Sequence, residues 1–162
     1  MNKIFYWSPY LSNVATINNV LNSALSLAKY GKKFEISLID VFGEWNLKEN
    51  LLKKNNIKLE RLKKFNINLP IIGFLKSRIY LLIIFFINFF PLLRLLQIKK
   101  PDYIIIHLLT SLPLSLLLFF NFKTKFILRI SGLPKLNFLR KFLWKLISKK
   151  IFIVTCPSIE TY

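Results

Sequence analysis

The chain is poor in the residues that most enzyme chemistry uses. Its 162 residues include one cysteine, one histidine, four glycines and seven acids. A single cysteine, Cys156, excludes an internal disulfide and points to a reducing compartment. With His107 and Cys156 far apart in sequence, no zinc site is expected. The loop after the first apolar run, SPYLSN, has no glycine, so a GxGxxG approach to a pyrophosphate is absent. There is no GxxxxGK[ST] phosphate loop and no GxSxG nucleophile elbow. The amino terminus, MNKIFYWSPYL, is no signal peptide, because its apolar run is short and ends at Trp7, Ser8 and Pro9. Of the acids, Asp102 follows Pro101 at the start of a strand and reads as a local cap, far from any site. Asp40 falls near the end of a strand and is a candidate for a cleft.

Apolar residues and cations are abundant. Hydrophobic residues make up 54% of the chain and the mean hydropathy is +0.44. That exceeds the ~45–50% typical of soluble domains, so a membrane span has to be tested. Net charge is +18, with 25 Lys and Arg. Such a surface seeks polyanions: nucleic acid, anionic headgroups or phosphorylated substrates. The richness in Lys, Asn, Ile and Phe is also what a biased base composition of the coding DNA produces. The cations are scattered over several elements and no nucleic-acid motif accompanies them, so no specific nucleic-acid partner is expected.

The run Ile79 to Leu96 is the best span candidate. A spanning helix needs ~20 apolar residues, and this run contains Asn88, Pro91 and Arg94. A buried or membrane-dipping helix suits it better than a true span.

Periodicity gives an alternation of strands and helices. Strands are expected over 3–7, 34–42, 102–107, 126–131 and 151–155, with a weaker strand or basic turn over 58–65. A helix is expected from Val14, capped by Asn13 and closed near Gly31, with Val14, Ile17, Leu21, Ala24, Leu25 and Ala28 on one face. Further helices are expected over 75–97, over 110–120 with Pro113 in the first turn, and over 136–149. A short helix or loop is expected over 46–56. The pattern predicts an α/β fold: a Rossmann-like parallel sheet with helices on both faces. Ligands of such sheets sit at the carboxyl ends of the strands. That rim would carry residues 8–13, 40–44, 107–111, 131–134 and 156–158.

The segment LNFLRKFLWKLISKK, residues 136–150, is strongly amphipathic. Leu139, Phe142, Leu143, Leu146 and Ile147 share one face. Arg140, Lys141, Lys145 and Lys149 share the other, with Trp144 among them. A Trp amid cations suits a lipid headgroup interface, so Arg140, Lys141, Trp144 and Lys145 are candidate membrane contacts. An ordinary amphipathic helix with a solvated basic face is the alternative.

The stretches KIFYWSPYLSNVATINNVLNSALSLAKYG, KPDYIIIHLLTSLPL, FILRISGLPKL and FIVTCPS, in this order, resemble something specific. Together they resemble the amino-terminal domain of the family 4 retaining glycosyltransferases, enzymes of the two-domain GT-B fold. The resemblance covers nearly the whole chain and rests on the order and spacing of its motifs. It implies transfer of a sugar from a nucleotide-sugar donor to a saccharide or lipid-linked acceptor, in cell-surface polysaccharide or lipopolysaccharide synthesis. No cofactor is implied, because the nucleotide sugar is a substrate. It implies a cytoplasmic protein, peripheral on the inner face of the cytoplasmic membrane.

In that family the amino-terminal domain holds the acceptor, and a carboxy-terminal domain grips the donor with basic residues and an E-x7-E motif. By position His107 matches the cleft-bordering end of the fourth strand and is the candidate catalytic residue. Ser131 and Gly132 match a cleft-facing turn, and the loop with Ser8, Pro9 and Asn13 matches a phosphate-facing loop; these five are candidate substrate contacts. That loop is glycine-rich in many members and is not so here. No E-x7-E occurs in residues 1–162. The expectation is therefore a domain truncated before the donor-binding half, or the acceptor-side subunit of a split transferase with a separate donor-binding partner. A non-catalytic, basic, membrane-associated protein is the competing reading.

Overall fold

A computed structural model describes residues 1–10, 15–31, 33–62, 74–130 and 138–156. Six parallel strands form one sheet: β1 (Asn2–Trp7), β2 (Phe34–Asp40), β3 (Lys58–Arg61), β4 (Tyr103–Ile106), β5 (Lys125–Arg129) and β6 (Ile153–Thr155). Their order across the sheet is β3-β2-β1-β4-β5-β6. The helices are α1 (Ala15–Tyr30), α2 (Glu49–Lys54), α3 (Phe74–Lys99), α4 (Ser111–Phe119) and α5 (Phe138–Ile147). The expected Rossmann-like α/β fold is thus the observed one.

The two sheet faces carry separate cores. On one face α1 and α2 cover Ile4, Tyr6, Ile36 and Leu38, with Ile17, Val20, Leu21 and Ala24 of α1 turned inward. On the other face α3, α4 and α5 cover Phe5, Trp7, Ile39, Ile104, Ile106, Phe126 and Leu128. This division follows from handedness. Strands β1 to β3 step one way across the sheet and β4 to β6 the other, so right-handed crossovers put their helices on opposite faces. The direction reverses between β1 and β4, which makes that pair the topological switch point.

The apolar run of α3 packs on the sheet. Ile84, Asn88, Leu92 and Leu96, four residues apart, are all buried. Burying each aliphatic side chain of such a stripe contributes roughly 1.5–3 kcal/mol. Pro91 lies inside this helix, and Asn88 donates from Nδ2 to the Ile84 carbonyl at 2.9 Å. The segment Leu82–Lys99 is long and apolar enough to cross a membrane by length and composition, with 28% of it buried. Its outer side shows Leu82, Phe86 and Phe90 to solvent.

Several boundaries differ from the sequence expectation. Strand β5 ends at Arg129, before Ser131, and β6 begins at Ile153. The third segment is a four-residue strand, not a turn. Helix α5 is rotated from its expected orientation. Leu143, Trp144 and Ile147 pack against the core, whereas Phe138, Leu139, Phe142 and Leu146 are exposed. Trp144 is half-buried and packs against that core. Its indole nitrogen is fully buried, because a ring of that size removes more apolar surface from water than a Leu would. Lys141 and Lys145 are exposed as expected. Asp102 caps the far end of the sheet, where its Oδ2 accepts the Lys3 N–H at 2.7 Å.

Candidate functional site at the carboxyl rim

The strand register aligns one polar row along the carboxyl rim. Tyr6 pairs with Leu38 and Trp7 with Ile106, while Ile106 pairs with Leu128 and Asp40 with Arg61. One residue further on, Ser8 stands between Asp40 and His107, and His107 stands beside Arg129. The His107 N–H donates to the Trp7 carbonyl at 3.0 Å and continues the ladder to this point. Arg129 in turn pairs with Thr155. The row thus reads Arg61, Asp40, Ser8, His107, Arg129, Thr155 across β3-β2-β1-β4-β5-β6. Adjacent members are spaced by the interstrand distance, about 5 Å. The residues before them in β2, β1, β4 and β5 (Ile39, Trp7, Ile106, Leu128) all belong to the core under α3–α5. The row therefore points to the opposite face, the side of α1.

In the half of the row over β2 and β3 the charged side chains are partnered, although the Trp45 indole nitrogen beside them is buried without a partner among the described residues. Asp40 is buried, accepts the Gly43 N–H on Oδ1 at 2.9 Å, and faces the Arg61 Nε at 3.6 Å. Arg61 also reaches Glu49 at 2.5 Å. The Glu44 carboxylate folds back onto its own turn and accepts the N–H groups of Val41 and Phe42 at 2.9–3.1 Å. Gly43 makes the turn possible, since its φ of 99° is one that side-chain-bearing residues avoid. Burial, and then the hydrogen bond to Asp40, push the Glu44 carboxyl well above the usual range. Tyr10 closes the turn by donating its hydroxyl to the Glu44 carbonyl. Burial, and then the charge of Glu44, push that phenol up to about 12. These acids tie a rim turn together, and Asp40 is held by it.

The half at the switch point is different. Ser8 and His107 are buried, yet among the described residues the Ser8 Oγ and the His107 Nε2 have no hydrogen-bond partner. A buried polar atom left unmade costs about 1–3 kcal/mol, so two side by side need an explanation. The His107 ring lies over Tyr6, centroids 6.0 Å apart, and the Tyr6 hydroxyl is bonded to Ser23 of α1 at 2.9 Å. Burial, followed by the positive charge of Arg129, lowers the His107 pKa to about 4, so the imidazole is neutral at pH 7. Neutral imidazole offers one N–H and one acceptor, the pair needed to orient a hydroxyl.

The turn beyond His107 is held open by strain with support. Leu109 has a φ of 47°, a conformation that costs a branched residue of order 1 kcal/mol. Its carbonyl accepts the Trp7 indole N–H at 3.2 Å.

Of the residues expected at the site, Ser8 and His107 are brought together, and Pro9 is buried next to them. Asn13, Ser131 and Gly132 lie outside the described residues. So do the side chain of Arg140 and the expected cap of α1. Arg129 was not legible as a rim residue, because the expected strand ran on to Ser131. The signal that would have found it is its place immediately after the buried Leu128. Among the described residues no group of His, Cys, Asp or Glu could hold a metal ion. A separate groove of about 430 Å³, lined by Arg61, Phe90, Pro91, Arg94 and Lys99, lies between β3 and α3, away from the switch point.

No protein-family model matches the chain, and no curated protein does. Among solved structures it is similar to CalG4, the calicheamicin glycosyltransferase, at 14% identity and a TM-score of 0.50. The match covers 89% of this chain and 36% of that one, so the chain spans about a third of the length of its structural neighbour. At this identity the likeness speaks for the fold: the described residues adopt a Rossmann-like α/β fold similar to part of that glycosyltransferase.

Proposed function

We propose that the chain is the acceptor-side domain of a glycosyltransferase, the half of a cleft that receives a saccharide or lipid-linked acceptor. The observation that carries this is the unsatisfied pair Ser8 and His107 at the switch point, where sheets of this order keep their ligands. A sugar is dense in hydroxyls, each both donor and acceptor. It matches a serine hydroxyl and a neutral imidazole that lack partners. His107 orients the acceptor hydroxyl and Ser8 holds a neighbouring one. The nucleotide-sugar donor is bound by a separate donor-binding domain facing this rim. The family 4 resemblance and the fold of the structural neighbour support the same reading.

The enzyme works at an anionic membrane surface on the cytoplasmic side. Phe138, Leu139, Phe142 and Leu146 of α5 are between 46% and 82% exposed, beside the exposed Lys141 and Lys145. Apolar side chains entering the acyl boundary with cations at the headgroups are the signature of an interfacial helix. The proposed membrane contact is made by Phe138, Phe142, Lys141 and Lys145.

The test is a saccharide array probed with the labelled chain and with a His107→Leu variant. The reading expects binding to a subset of saccharides that the variant loses. Binding to none, or equal binding by both, contradicts it.

A further inference from the structure

Arg129 is not accounted for by a site that only binds hydroxyls. It follows the buried Leu128 on β5 and stands in register beside His107, half-buried, on the α1 face. Its charge is felt at both the His107 ring and the Tyr6 phenol. The other cation of the row, Arg61, is paired with Asp40 and Glu49. Among the described residues Arg129 pairs with no carboxylate. A guanidinium, a buried hydroxyl and a buried imidazole nitrogen, the last two without a partner among the described residues, thus stand side by side at the ends of three adjacent strands.

We propose that Ser8, His107 and Arg129 form an oxyanion subsite that takes a phosphoryl or carboxylate group of the acceptor. Arginine presents a planar fork that matches either group, and such charge-assisted bonds are about twice as strong as neutral ones. The Ser8 hydroxyl and the His107 N–H complete the donors, and the buried setting strengthens each of them. The assignment of the oxyanion to an acceptor rests on the transferase reading, whereas the anion site itself does not.

His107 is the only histidine, so in the untagged chain its imidazole signals are assigned without ambiguity. The experiment follows them by NMR at pH 7 during titration with sodium phosphate and with sodium acetate, at ionic strength held constant with chloride. The expected result is a saturable shift in at least one titration, with tighter phosphate binding assigning a phosphoryl group and tighter acetate binding a carboxylate. Arg129→Gln should weaken it by about tenfold or more, Arg129→Lys should retain part of it, and the remote Lys54→Gln should change nothing. Spectra of the variants without anion verify that they are folded. The inference is overturned if Arg129→Gln titrates like the unaltered chain, if Lys54→Gln weakens binding as much, or if neither anion shifts His107. Saccharide binding that survives such a failure keeps the transferase reading. An anion site without any saccharide binding overturns that reading alone.

Discussion

The two halves of the polar row have similar chemistry and opposite states. Over β2 and β3 the polar side chains of the row have partners: Asp40 with Arg61 and Gly43, and Arg61 with Glu49. Over β1, β4 and β5, the buried Ser8 Oγ and His107 Nε2 have none among the described residues. The first half is structure. It holds the rim turn after β2 together. The second half leaves two neighbouring buried polar groups without partners, a cost that the proposed ligand would offset.

Four changes separate the two halves. The largest effect is expected from acid. His107 is held neutral in the fold with its pKa near 4, against about 6.5 in the unfolded chain. The unfolded chain therefore takes up its proton first. Stability is full above pH ~6.5 and is lost as pH falls toward 4, by roughly 3 kcal/mol from this residue. Urea unfolding across that window should show the slope, and His107→Leu should remove that share of it. An unchanged slope in the variant would return His107 to the ordinary range.

Next comes Asp40→Ala. It orphans the Gly43 N–H and the Arg61 charge, and should cost about 2 kcal/mol by urea unfolding. A loss under ~0.5 kcal/mol would mean the satisfied half is not structural. Third, Trp7→Phe removes the bond that steadies Leu109 and should cost about 1 kcal/mol. Smallest in stability is the pair Phe138→Ser with Phe142→Ser, within ~0.5 kcal/mol since both side chains are exposed. Flotation on vesicles of phosphatidylglycerol and phosphatidylcholine should nonetheless fall severalfold. Unchanged flotation would remove the membrane reading of α5.

Much of this was legible in sequence. The alternation of Ile- and Leu-rich strands with helices specified a parallel sheet, and Asp102 to His107 read as a buried strand that delivers a histidine to the rim. Two things were not legible. A helix with apolar residues at 139, 142, 143, 146 and 147 has too wide an apolar arc to say which side faces in. Trp144, the largest side chain, settled the rotation of α5 by packing against the core. The row itself was hidden because register is a property of pairs of strands. No single segment shows that Asp40, Ser8, His107 and Arg129 stand together.

The central claim is that His107 is kept for a ligand and not for the fold. The direct test measures stability and saccharide binding of His107→Leu at pH 7 side by side. The account predicts stability within about 1 kcal/mol of the unaltered chain, or higher, because an unsatisfied polar atom is removed, together with loss of saccharide binding. A loss of more than ~2 kcal/mol with binding intact would contradict it and make His107 a core residue.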